Sequence, residues 1–157
     1  MRILFRPLIL LALLALFAGP ASGRAAEAGY ACAPTPPDQL GPFYKRNAPL
    51  RDRVGSGYLL SGVVRSAADC SPIAWARVEL WLTGPDGRYG DAWRATVVAA
   101  MTGDYRFESD FPVVYEGRPP HIHIRVTAPG YAPLVTQHYP KPGESTGRFE
   151  LVLIPTR

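Results

Sequence analysis

Apolar and polar positions alternate with period two through the second half of the chain. Val78, Leu80 and Leu82 are separated by Glu79 and Trp81, and Tyr105 and Phe107 by Arg106. Ile122, Ile124 and Val126 are separated by His123 and Arg125, and Phe149, Leu151 and Leu153 by Glu150 and Val152. Successive side chains of an extended strand point to opposite faces, so each stretch predicts a strand that is oily on one side. Residues 60–64, 93–100 and 133–139 add further candidates. Gly84-Pro85-Asp86-Gly87, Thr102-Gly103-Asp104 and Ala128-Pro129-Gly130 supply turns between them. Beyond residue 23 no segment has a convincing helical period. Many short strands at regular spacing predict an all-β fold, an antiparallel β-sandwich over residues 58–157.

Residues 24–57 break the pattern. They are rich in Pro, Gly and Ala and read as an irregular arm that wraps rather than packs. Residues 1–23 differ again. Arg2 and Arg6 precede an apolar run from Leu8 to Phe17, and Gly19-Pro20-Ala21-Ser22-Gly23 supplies small residues. This predicts a secretory signal, cleaved after Gly23 or within residues 24–28. The run is shorter than the about 20 apolar residues of a spanning helix, so no stable membrane association is expected after cleavage. With no twin-arginine pair, the general secretory route to a periplasm or the exterior is expected.

Charge and cysteine count narrow the partners. The formal net charge is +4, and loss of Arg2 and Arg6 leaves +2 without any basic stripe, which argues against nucleic acid. In an oxidising compartment Cys32 and Cys70 could be bonded or free, since sequence does not show their separation. Cys32 lacks the apolar context of a lipid-attachment site.

The chemistry concentrates in Tyr115-Glu-Gly-Arg118-Pro-Pro-His121-Ile-His123. His121 and His123 lie two apart on a predicted strand whose opposite face carries Ile122, Ile124 and Val126, so both imidazoles aim at one spot. Pro119-Pro120 cannot sit inside a sheet ladder and fixes an extended entry, leaving Tyr115 and Arg118 on a loop above the strand. Zinc would want a further Cys, Asp, Glu or His, and none accompanies the pair in an obvious ligand pattern. Phenols do: Tyr115, and Tyr89 after the earlier turn. A phenol loses its proton only near about pH 10 unless a strongly charged cation stabilises the phenolate. Hard anionic oxygen with imidazole suits Fe(III). Plainer roles remain open at this level. Tyr89 could be a surface aromatic, Tyr115 a core cover, Arg118 a partner of Glu116, and Gln137 a partner of a loop carbonyl. His138 reads as a bystander, and Trp75, Trp81 and Trp93 as packing.

Several blocks carry a family resemblance. They are Gly41-Pro42-Phe43-Tyr44, Ala48-Pro49-Leu50-Arg51, Cys70-Ser-Pro-Ile-Ala74, Arg77-Val-Glu-Leu-Trp81, Asp86-Gly-Arg-Tyr89, Gly103-Asp-Tyr-Arg-Phe107, Arg118-Pro-Pro-His-Ile-His123 and Thr136-Gln-His-Tyr139. In this order, over almost all of the chain beyond the signal, they resemble the intradiol ring-cleavage dioxygenases, the family of protocatechuate and catechol dioxygenases. The resemblance implies a prealbumin-like sandwich in which Tyr89, Tyr115, His121 and His123 bind non-haem Fe(III). Tyr115 would be the axial ligand that leaves, as a base, when substrate chelates. Arg118 would stand beside the ring carbon that oxygen attacks. Gln137 would line the pocket, and Gly41 and Pro42 would approach the substrate. The implied partners are O2 and a catechol-type ortho-diphenol, cleaved between its hydroxyl-bearing carbons to a muconate-type diacid. Family members usually assemble, which leaves a homo-oligomer open. Leu40 departs from the acidic residue that many members place before Gly-Pro, and the short connection from Tyr89 to Tyr115 implies a reduced lid. Gly62-Val-Val64, Pro72–Val78 and Gly103–Phe107 also resemble prealbumin-like or carboxypeptidase-regulatory-like modules. The alternative is therefore a non-enzymatic secreted binding module, and the Tyr/His set separates the two readings.

Overall fold

In the computed structural model, which describes residues 29–156, the alternating stretches become two sheets and no described residue is helical. The predicted signal segment and the start of the arm lie outside the described residues. The strands are β1 (Tyr58–Ser66), β2 (Arg77–Thr83), β3 (Tyr89–Val98), β4 (Asp104–Ser109), β5 (Ile122–Thr127), β6 (Leu134–His138), β7 (Thr146–Arg148) and β8 (Leu151–Leu153). One sheet has the order β4-β1-β7, with β8 also on β1; the other has the order β3-β2-β5-β6. The inward set expected from alternation forms the core: Leu60, Val64, Val78, Leu80, Leu82, Phe107, Ile122, Ile124, Val126, Leu151 and Leu153 are all buried.

Most pairings are antiparallel, but β7 and β8 run parallel to β1. The chain reaches them from β6, in the opposite sheet. A crossover of that kind can deliver either direction, whereas a tight hairpin enforces antiparallel pairing. β7 is Thr-Gly-Arg. It joins through backbone bonds alone, so hydrophobic alternation does not reveal it.

The arm follows a defined path. A Cys32–Cys70 disulfide ties its start to the β1–β2 turn, with Cα atoms 5.3 Å apart. Thr35 then accepts a hydrogen bond from the Val152 N–H (2.8 Å) and donates one to the Glu150 carbonyl (3.0 Å). The Asp38 N–H bonds the Val135 carbonyl at the β6 edge (2.9 Å). Residues 41–48 cross the outer face of the second sheet. There Tyr44 donates to the buried Glu79 carboxylate (3.1 Å), and Thr96 donates to the Ala48 carbonyl (2.8 Å). Glu79 is also paired with Arg125 at 2.7 Å, so its buried charge is compensated. Leu50 and Arg53 then bridge β3 and β4 at the far edges of the two sheets. Sheet and arm together enclose a polar layer outside the core.

Candidate metal centre

Strand register sets the floor of this layer. His123 on β5 pairs with Trp81 on β2 and with Gln137 on β6. The next row inward is Leu80, Ile124 and Thr136. Trp81, His123 and Gln137 therefore share the outer face, and the His123 imidazole stacks on the Trp81 indole (centroids 4.9 Å apart, planes 6° apart). His121 enters just before β5, its direction fixed by the preceding prolines.

Tyr89 arrives by a different device. It begins β3 opposite Thr83, yet the next paired residue is Arg94, opposite Trp81. Residues 90–93 thus bulge against Leu82 alone, and a bulge of this kind re-aims the side chains beside it. The phenol of Tyr89 turns onto the histidines and its ring stacks on Phe43 of the arm (4.3 Å, 11°).

Three atoms then meet. Tyr89 Oη lies 3.0 Å from His121 Nε2 and 3.1 Å from His123 Nε2, and the two Nε2 atoms are 3.2 Å apart. His121 Nδ1 is 2.8 Å from the Pro119 carbonyl, which can only accept, so His121 carries its proton on Nδ1 and presents a lone pair from Nε2. His123 Nδ1 is buried with no hydrogen-bond partner among the described residues. Three contacts close the triangle, but the phenol and His123 bring at most two protons to them. A centre about 2.1 Å from each atom, with angles near 95°, would produce edges of this length, and such a distance is ordinary for metal–nitrogen and metal–oxygen bonds.

The electrostatics leave both imidazoles uncharged. Burial, and after it the neighbouring His121, lowers His123 to a pKa of about 4. Burial also lowers His121, with the Pro119 carbonyl opposing. Both rings are neutral at ordinary pH, and His121 presents a free lone pair from Nε2. Burial raises Tyr89 to about 12, with Arg118 opposing, so an ordinary base does not deprotonate this phenol. Among the described residues no group of three His, Cys, Asp and Glu side chains gathers round a point. The donor set is one phenol and two imidazoles, chemistry that fits a hard, highly charged ion and not structural zinc.

Tyr115 stands beside the triangle and does not complete it. Its ring meets Tyr89 edge-on at 5.2 Å, while its hydroxyl donates to the Glu116 carboxylate (3.0 Å). Burial and then that carboxylate raise its pKa. Tyr115 and Arg118 bridge each other across Glu116-Gly117, both at positive φ (47° and 76°), the signature of a two-residue type I′ hairpin. That turn puts the phenol and the guanidinium at one mouth. Arg118 Nη2 donates to Gln137 Oε1 (2.7 Å) and to the Tyr139 hydroxyl (3.2 Å). Tyr139 in turn donates to Asp38 (2.8 Å), and Gln137 donates to the Gln39 carbonyl (2.7 Å). Burial works against the charge on Asp38, but the Gln39 N–H, Tyr139 and Arg118 outweigh it and hold the carboxyl below its usual range. Gly41, Pro42, Phe43, Tyr89, Tyr115, Arg118 and His123 line a pocket of about 300 Å³ over the triangle.

Sequence reasoning left Phe43, Trp81, Asp38, Gln39 and Tyr139 out of the site. Strand parity would have found Trp81, because it alternates with Leu80 and Leu82 and so shares the face of His123. The arm residues carry no local signal of where the arm lies. His138 faces the other way, with Nε2 2.6 Å from the Tyr58 hydroxyl, as parity with Gln137 requires.

Fold and cluster define a β-sandwich with a Tyr–His–His centre on the outer face of one sheet, roofed by an N-terminal arm. No family model matches the chain. It is 34% identical over 138 residues to a chlorocatechol 1,2-dioxygenase of Rhodococcus opacus, covering 63% of this chain and 53% of that protein. It is 28% identical over 138 residues to a catechol 1,2-dioxygenase of Candida albicans, covering 64% and 45%. Among solved structures, the dioxygenase domain of a dioxygenase–carbohydrate-binding fusion from Streptomyces sp. SirexAA-E superposes with a TM-score of 0.71 at 28% identity, over 79% of this chain and all of that one. The chain spans about half the length of the curated relatives it matches. Its curated relatives are chlorocatechol and catechol 1,2-dioxygenases, so the chain is similar to the intradiol ring-cleavage dioxygenases.

Proposed function

We propose that this protein is an exported intradiol dioxygenase that holds Fe(III) through Tyr89, His121 and His123, with Tyr115 as a displaceable fourth ligand. With O2 it would open a catechol-type ortho-diphenol between its two hydroxyl-bearing carbons. The observation that carries the reading is the triangle of Tyr89 Oη and two Nε2 atoms with edges of 3.0–3.2 Å. Homology to catechol and chlorocatechol 1,2-dioxygenases supports the reaction class. The cystine supports an oxidising compartment. A plain binding module has no use for a buried, proton-deficient cluster, and nothing in the site favours that alternative.

Ferric iron bound there would supply Lewis acidity toward both catechol oxygens and draw electron density from the ring. The side chains supply the rest. A catechol must shed two protons to chelate. Tyr115 already shares its proton with Glu116, so a substrate proton passing to Tyr115 Oη has an onward acceptor at Glu116 Oε1. Tyr115 is the fourth ligand of the proposal, and its place at the mouth suits a group that binds in one state and is displaced in another. Arg118, held in place by Gln137 and Tyr139, stabilises negative charge developing on the ring in a partly enclosed pocket. Gly41 and Pro42 form the wall against which the ring would rest.

The test is oxygen consumption by iron-loaded protein given catechol and substituted catechols. The expected result is one O2 consumed per diphenol with formation of a cis,cis-diacid. Release of an extradiol aldehyde product, or no turnover on any catechol by protein that has bound iron, would overturn the assignment.

A further inference from the structure

We propose that Asp38 is a positioning residue for Arg118, a role that rests on the ring-cleavage reading: through Tyr139 and Gln137, the carboxylate on the N-terminal arm sets the direction of both acceptors that hold the guanidinium.

Asp38 is itself fixed. Its N–H bonds the Val135 carbonyl at the β6 edge (2.9 Å), and its Oδ1 accepts from the Gln39 N–H (2.6 Å). Oδ2 is left to accept from the Tyr139 hydroxyl (2.8 Å). An ionised carboxylate only accepts and a phenol has one proton, so that proton points at Asp38. The Tyr139 oxygen therefore meets Arg118 Nη2 as an acceptor (3.2 Å). It has no proton left for Gln137 Oε1, which lies 3.1 Å away.

The Gln137 side chain, on a residue only 4% exposed, is oriented from the same segment. Its Nε2 donates to the Gln39 carbonyl (2.7 Å) and lies 3.4 Å from Asp38 Oδ1. Neither oxygen can donate, so the NH2 end faces the arm and Oε1 faces Arg118 (2.7 Å). Two acceptors thus take both protons of Nη2. Among the described residues the guanidinium makes no other hydrogen bond. Arg118 lines the pocket over the triangle, so its plane is set from one nitrogen while the N–H groups of Nε and Nη1 stay available to the substrate. Donors fixed before the reaction stabilise developing charge best.

Asp38→Asn reverses this arrangement. The amide oxygen stays with the Gln39 N–H, and the NH2 then faces Tyr139. The hydroxyl turns its proton onto Gln137 Oε1 and competes with Arg118 for it.

The test has two parts, run on full-length protein carrying Asp38→Asn, Tyr139→Phe or both. In metal-free protein labelled with 15N at arginine, the Nη signals of Arg118 are assigned by their absence from Arg118→Lys. They are expected to be resolved in the wild type and averaged by rotation in Asp38→Asn. In iron-loaded protein given catechol, Asp38→Asn is expected to lower kcat about tenfold while KM changes less than about twofold and iron affinity is retained. The double variant is expected to lose no more than about twofold beyond Tyr139→Phe, because Asp38 acts through that hydroxyl. Unaltered Arg118 signals in Asp38→Asn, an unchanged kcat, a loss confined to KM, a parallel loss of iron affinity, or additive losses in the double variant would each overturn the proposal. Should iron-loaded wild-type protein turn over no catechol, the ring-cleavage reading falls, and the Arg118 signals alone decide whether Asp38 positions the guanidinium.

Discussion

His121 and His123 are two residues apart, yet different surroundings hold them. A backbone carbonyl fixes the proton of His121, whereas His123 is clamped by an indole face and its Nδ1 has no hydrogen-bond partner among the described residues. Both are neutral and buried, and that has a pH signature. In the metal-free protein the unfolded histidines take up protons near about pH 6.5, while native His123 waits until about pH 4. Between those values the unfolded state binds more protons, so stability falls as pH falls and the loss levels off near the native value. Urea unfolding of iron-free protein at several pH values between 7.5 and 4 checks this; a flat profile would contradict it. At the mouth, Glu116→Asn keeps a residue tolerant of positive φ while removing the carboxylate that raises Tyr115. The Tyr115 phenol is then expected to titrate closer to its ordinary value near about 10, read by ultraviolet difference spectra against Tyr115→Phe. The His pair and Tyr89 were legible as residues because strand parity and turn position are local properties. That Tyr115 Oη bonds to Glu116 was not legible, since a rotamer depends on its neighbours in space.

Three irregular elements do most of the positioning: the arm, the bulge at residues 90–93 and the Glu116-Gly117 hairpin. None has a hydrophobic period, so the arm and the Tyr115–Arg118 loop are legible in the sequence without their paths, and the bulge is not legible at all. The arm was expected to wrap, and it does, but its route across the outer face of the second sheet is decided by long-range bonds such as Thr35 to Val152 and Tyr44 to Glu79. Gly41 is the closest approach. At φ 72° a side chain is strained, and a Cβ there would sit 3.0 Å from His123 Cε1. Gly41→Ala is expected to displace His123 and to weaken iron binding more than tenfold with the fold retained, measured by iron titration and circular dichroism. The disulfide holds the arm's first residues across a separation of 38 residues. Replacing Cys32 and Cys70 with Ser is expected to cost about 3–4 kcal/mol in denaturant unfolding, because the unfolded chain regains that loop's freedom. A cost below about 1 kcal/mol would mean that the arm's hydrogen bonds alone secure it.

At the scale of the whole molecule, alternation was enough to specify two layers and their contents. Leu80, Ile124 and Phe107 are buried as period two requires. Phe107→Ala, which empties a fully buried position on β4, is expected to destabilise the sandwich by about 3–5 kcal/mol. Pairing direction was the part that alternation could not carry: β7 and β8 lie parallel to β1 because the chain reaches them by a crossover from the opposite sheet. Family resemblance and geometry meet at one place, the outer-face cluster under the arm. The most direct measurement is a visible absorption titration of the metal-free protein with Fe(III). One equivalent is expected to produce a phenolate-to-iron charge-transfer band that is weakened and shifted in Tyr89→Phe, where Tyr115 is the one phenol ligand of the proposal that remains, while that variant stays folded. Absence of the band from wild-type protein that has bound iron, or its persistence unchanged in Tyr89→Phe, would contradict a shared iron at Tyr89, His121 and His123.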